Sequence, residues 1–140
     1  MEEVRMCRRW LKMIGTTDDP CQEEFVQNHV GSRGRHRMTQ MQPGDMMILY
    51  AVGRTNPLFA VARVTSSVHP SGNPGWPYQV GITCEARLPV GGGVTMEDAD
   101  FRPSRKGAIK RGHSYIELDL CEYQRAADLL TQASGVAMGV

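Results

Sequence analysis

The stretch "QPGDMMILYAVGRTNPLFAVARVTSS", residues 42–67, decides how the chain folds. Two apolar runs, MMILYAV and LFAVARV, are each too short for an ordinary helix and long enough for a strand. The Gly, Asn and Pro between them suit a turn, so the stretch predicts an antiparallel hairpin. The first run is apolar at consecutive positions, the pattern of a strand covered on both faces. Met47, Ile48, Leu49 and Val52 are expected in the core, while Tyr50 and the Arg63 side are expected to face a pocket.

Working outward, RWLKMIG (residues 9–15) reads as a first strand stopped by glycine. In TTDDPCQEEFVQN, Asp19 can cap, Pro20 suits the first helical position and Gln22 can close a capping box, which predicts a short helix. HVGSRGRHRMTQM has two glycines and no clean period and is read as a loop. HPSGNPGWP is too rich in Pro and Gly to be anything else. YQVGITCEARL alternates Tyr78, Val80, Ile82, Cys84 and Ala86 against polar or small residues, a half-buried strand. PVGGGV lacks the Lys-Ser/Thr of a phosphate loop and is a flexible connection. TMEDADF can form a helical turn capped by Thr95, and HSYIELDL offers a last strand. In DLCEYQRAADLLTQAS, Asp119 caps and Glu122 closes the box of the clearest helix, which ends at Gly135.

With 140 residues, 41% hydrophobic and 22% charged, the chain has the composition of one globular domain spanning 1–140. No apolar run approaches the ~20 residues of a membrane span, and the start of the chain has no signal-peptide core, so a cytoplasmic protein without membrane association is expected. The four cysteines have no chelating spacing, so neither a metal nor a cofactor is expected. Net charge is only +1, but its distribution is uneven. Residues 25–94 carry six arginines against two acids, and residues 102–111, RPSRKGAIKR, carry five cations and no acid. Such a chain can present a basic face to phosphates.

The order of these parts resembles the EVE domain, a member of the PUA-like group that includes YTH domains. The opening WLKMIG strand, the MQPGDMMILYAVG turn and strand, LFAVARVTSSVHP followed by WPYQVGITCEARLP, and the closing GHSYIELDLCEYQRAADLL carry the likeness. What the resemblance implies is an α+β, PUA-like fold: a strongly bent mixed β-barrel of about five to six strands with two to three flanking helices. It also implies a pocket for a modified, flipped-out nucleobase, lined by aromatics and flanked by basic residues. The loop NHVGSRGRHR lacks the tryptophan that YTH cages place nearby, which argues against a methylated adenine.

The ligand pocket is accordingly expected to involve Trp10, Ile14, Gly15, Thr16, Tyr50 and Trp76. Trp76 can stack a base, and Gly15 lets a planar guest approach the backbone. Trp10 and Tyr50 also read as core, and Gly15 as a simple strand end. Nucleic-acid contacts are expected from Ser32, Arg33, Arg35, Arg37, Arg63, Lys106, Lys110 and Arg111, whose plainer role is solvated surface. His113 and Ser114, adjacent on a strand, point to opposite faces and make no triad. The sequence therefore reads as a non-enzymatic module binding DNA or RNA, monomeric or weakly homodimeric. A small-molecule or nucleotide-binding regulatory protein, or a homodimeric interaction module using SGVAMGV, is the alternative.

Overall fold

The structure is a computed structural model that describes residues 7–15, 28–32, 38, 40–52, 57–72, 74, 77–98, 101 and 115–135. The helix expected in 16–27, the arginine loop 33–37, Trp76, the basic segment 102–111, His113 with Ser114, and the C-terminal 136–140 lie outside these residues.

Among the described residues eight strands form one sheet: β1 Arg9–Ile14, β2 His29–Ser32, β3 Met46–Ala51, β4 Pro57–Val64, β5 His69–Pro70, β6 Tyr78–Arg87, β7 Val94–Thr95 and β8 Tyr115–Glu117. Their order is β2-β6-β4-β3-β1-β8, with β5 added to β6 and β7 to β4. The expected hairpin is present as β3 and β4. β1 pairs with β3 in parallel and with β8 antiparallel, so the sheet is mixed.

Two departures from the expected strand pattern bend this sheet. Leu49 faces Ala60 and Tyr50 faces Leu58, which leaves Phe59 as an extra residue on β4. Ala62 faces Cys84 and Val61 faces Ala86, which leaves Glu85 extra on β6. Such bulges raise local twist and curl a sheet. They also break the single alternation expected for β6. Val80, Ile82 and Cys84 belong to one apolar cluster, whereas Ala86 belongs to the other.

Those two clusters occupy the two faces. The inner one holds Trp10, Val30, Met38, Met41, Met47, Leu49, Phe59 and Ile82 among others, with contributions from every strand of the six-strand path. A sheet wrapped around its own core produces that distribution. The other cluster, with Leu11, Ile48, Leu58 and Ile116, is covered by α1, Leu120–Ser134, through Ala126, Ala127 and Leu130. Asp119 caps α1 in a full capping box with Glu122, and Gly135 ends it in the left-handed region at φ 73°, both as the sequence predicts.

The segment read as a loop at residues 29–41 contains β2, which the sequence pattern hides. Val30 is the one apolar residue of HVGS, and the strand exists because its backbone pairs with β6 from Gly81 to Tyr78. PVGGGV is not wholly irregular either: Val90–Gly92 forms a 3₁₀ turn, and β7 then pairs with β4. The turn after β7 follows expectation, with Asp98 N–H donating to Thr95 Oγ1 at 3.1 Å.

Close packing dictates one glycine of that segment. A Cβ on Gly93 would stand 2.6 Å from the Leu58 carbonyl oxygen and 2.7 Å from Pro57 Cβ, while one on Gly92 would meet nothing nearer than 3.8 Å. Gly93→Ala is therefore expected to cost about 1 to 3 kcal/mol through forced backbone shift, and Gly92→Ala well under about 1 kcal/mol. Urea unfolding of the two variants side by side checks this, and equal losses would contradict the packing described.

Candidate functional site

The Pro43-Gly44-Asp45 turn sets the geometry of the inner face. Gly44 takes φ 93° and Asp45 N–H donates to the Gln42 carbonyl at 3.0 Å, the form of turn that Pro followed by Gly favours. Asp45, fully buried, then gathers three donors. Trp10 Nε1 and the Gln42 amide reach its Oδ2 at 3.1 Å, and the Arg8 amide reaches its Oδ1 at 3.1 Å. A buried carboxylate is tolerable when its oxygens are filled this way.

Trp10 is closed in by this arrangement. Its ring is 2% exposed, and Tyr115 meets it edge-on at 5.6 Å between centroids and 82° between planes. The Arg8 guanidinium lies 5.3 Å from the ring centroid and is held there by Glu117, at 2.9 Å from Nε and 3.3 Å from Nη2. Trp10 is thus a wall of the inner face, as its core reading has it, and offers no open platform for stacking.

The remaining expected pocket residues separate. Ile14 is half-buried at the margin of the inner cluster, and Gly15 follows it at φ 84°. Tyr50 packs with the opposite cluster, under α1, and does not meet Trp10 or Ile14. Burial pushes its hydroxyl pKa up. Arg63 is exposed and paired with Glu85 across β4 and β6. Ser32 ends β2 opposite Tyr78. Thr16, Arg33, Arg35, Arg37, Trp76, Lys106, Lys110 and Arg111 fall outside the described residues.

Met38, Met41, Phe59 and Ala60 fill the middle of the curled sheet at 0–1% exposure. Room for a guest is therefore not in the centre; partial exposure on the inner face is found at Ile14, Val68, Tyr78, Cys84 and Tyr115. Of these, Ile14 and Tyr115 lie near the end of β1.

Lys12 stands at that end and went unnoticed in the sequence. It alternates with Trp10 and Ile14 on β1, so its side chain belongs to the inner face, opposite Leu49 on β3 and Tyr115 on β8. It is 1% exposed. Its Nζ donates to the Met13 carbonyl at 2.8 Å, beside the peptide that leads to Ile14 and Gly15. Desolvation lowers its pKa from 10.5 to about 7. Among the described residues no carboxylate pairs with it. The available signal was the position of Lys12 two residues from Trp10, inside the otherwise apolar run from Trp10 to Ile14.

A curled, mixed half-barrel sheet covered on one face by a C-terminal helix is a PUA-like fold. No family model matches the chain, and no curated protein matches it significantly, but solved structures do. One is the NMR structure of Rpa0253 from Rhodopseudomonas palustris, at TM-score 0.60 and 16% identity over 94% of this chain and 95% of that one. Another is the Mmi1 YTH domain in complex with RNA, at TM-score 0.56 and 11% identity over 91% and 79% of the two chains. A third is human THYN1 in complex with 5-methylcytosine-containing DNA, at TM-score 0.55 and 11% identity over 90% and 97%.

Proposed function

We propose that this protein is a non-enzymatic, EVE-type binding module that seats a nucleobase of DNA or RNA at the end of β1 and grips the neighbouring phosphates with its basic segments. The observation that carries the reading is topological. β2 and β8 are the two ends of the strand path. Residues 33–37, with three arginines and a histidine, continue directly from β2. Residues 102–111, with five cations, precede β8 by three residues. Both basic segments thus adjoin in sequence the two strands that end the path of described strands, with Tyr78 opposite Ser32 of β2 and Tyr115 on β8. Net charge near zero does not oppose this, because phosphate binding depends on the local field.

The complexes of the Mmi1 YTH domain with RNA and of THYN1 with methylated DNA support a nucleic-acid partner for this scaffold. A base inserted at Ile14 and Gly15 would be planar enough to lie on glycine backbone, and Trp76, a loop aromatic in the sequence, is the residue proposed to stack on it. No helix among the described residues is long and apolar enough to cross a membrane, and the module is read as cytoplasmic, monomeric or weakly dimeric.

Fluorescence anisotropy with short labelled oligonucleotides, with and without 5-methylcytosine, tests this over a salt series. Each phosphate contact contributes roughly 0.7 to 0.9 to the slope of log affinity against log salt. Arg35→Ala and Lys110→Ala should each lower that slope by about one contact, and Trp76→Ala should weaken binding by roughly 1 to 3 kcal/mol. A salt-independent affinity that none of the three variants changes would leave a small neutral ligand as the better reading.

A further inference from the structure

We propose that Lys12 is the group that reads the guest: its amine donates to a ring carbonyl oxygen of the inserted base and becomes protonated as that base binds. The inference rests on the nucleobase reading above and deepens it by naming the class of base, those with a carbonyl oxygen, which cytosine, thymine, uracil and guanine possess and adenine lacks.

The geometry points there for three reasons. An ammonium has three donor hydrogens, and the described residues give Nζ one acceptor, the carbonyl of its own neighbour Met13. Buried donors without partners are costly, and natural proteins rarely leave them so. The amine also lies at the place where a flat guest would enter, next to the Ile14-Gly15 peptide and opposite half-buried Tyr115. Finally, among the described residues the other charged groups on the inner face are engaged. Glu117 on β8 holds Arg8, and Asp45 receives Trp10, Arg8 and Gln42. From β3 the facing side chain is Leu49; from β6 the charged or titratable ones are Tyr78, Cys84, pushed up by burial, and Arg87, which stands opposite inner-face Ala60 in the same cross-strand row as Lys12 and Leu49.

Desolvation brings the pKa of this amine down to about 7. A carbonyl acceptor favours the charged form and raises that value. Binding then takes up a proton, so affinity must fall as pH rises, by up to about tenfold per unit above the free value, until the value in the complex is passed. The charge of the base does not change, and no bond is made or broken.

The experiment uses the full chain and a set of otherwise identical single-stranded oligonucleotides carrying one central 5-methylcytosine, thymine, guanine or adenine, titrated between pH 6 and 9. For the wild type, carbonyl-bearing guests should bind at least about tenfold more tightly than adenine, and the advantage should shrink as pH rises. Lys12→Met should lose both the preference and the pH dependence while keeping the salt slope; thermal melting confirms that it folds. Tyr115→Phe should keep the pH dependence, which separates the amine from the neighbouring phenol. If Lys12→Met retains the wild-type preference and profile, Lys12 is not the reader, although the nucleic-acid reading stands. If the wild type binds none of the oligonucleotides, both fall together.

Discussion

Asp45→Ala is expected to lower the free energy of unfolding by about 3 to 5 kcal/mol, because it orphans three donors in one step. The Trp10 indole N–H is buried, the Arg8 and Gln42 amides are partly so, and all three end on the same carboxylate. Water cannot replace that carboxylate at a site with 0% exposure. Small domains typically have about 5 to 15 kcal/mol in all, so the variant should unfold at far lower urea concentration. Asp45→Asn keeps the shape and one acceptor oxygen, and should lose about half as much. The measurement is urea unfolding followed by tryptophan fluorescence in a Trp76→Phe background, where Trp10 is the sole indole. A loss below about 1 kcal/mol for the alanine variant would show that the three bonds do not anchor the inner face.

The second large effect has the opposite sign. The unfolded chain holds the Lys12 proton with the ordinary value of 10.5, the folded chain with about 7. Between those values folding expels a proton, so stability rises with pH across this window and is lowest below pH 7, where the amine is charged in both states. At about 1.4 kcal/mol per unit, the burden at neutral pH is on the order of 4 kcal/mol. Lys12→Met removes it with a side chain of similar length. It should stabilise the protein by about 2 to 4 kcal/mol at pH 7, less any misfit in packing. The gain should shrink steadily towards pH 10. Urea unfolding at pH 6, 7.5 and 9 checks the trend, and a gain that stays constant over this range would mean that the amine is not desolvated. A position that improves on losing its native residue fits a group kept for binding and not for the fold.

The elements legible in the sequence are those whose cause is local. The capping box of Asp119 and Glu122 and the terminal Gly135 write the boundaries of α1 into consecutive residues. The apolar run 46–52 announces a strand covered on both sides, and β3 is one. What escaped has its cause elsewhere in the chain. β2 exists through its pairing with β6, and nothing in HVGS announces it. The parallel pairing of β1 with β3 leaves no trace in either strand. The extra residues Phe59 and Glu85 look like ordinary alternation until the partner strand is aligned with them. Among the expected pocket residues, Gly15 reads as a strand end, and β1 does stop at Ile14 with Gly15 following at φ 84°. Lys12 was not legible, because a single lysine in a strand reads as solvent-facing, and its burial depends on β3 and β8 closing over it. Tyr50 was assigned to the wrong neighbours for a related reason: strand alternation gives two faces but does not say which one α1 covers.

The place of β1 has a consequence for how the protein is made. It is the earliest of the described strands to leave the ribosome, yet it lies between β3 and β8, and β8 begins only at residue 115. A nascent chain from which residues 115–117 have not yet emerged still has one flank of β1 bare, with Trp10 waiting for the edge of Tyr115. Completion of the sheet is therefore a late event in synthesis, and a ribosome stalled before that strand holds a sticky, half-zipped intermediate of the kind that chaperones capture.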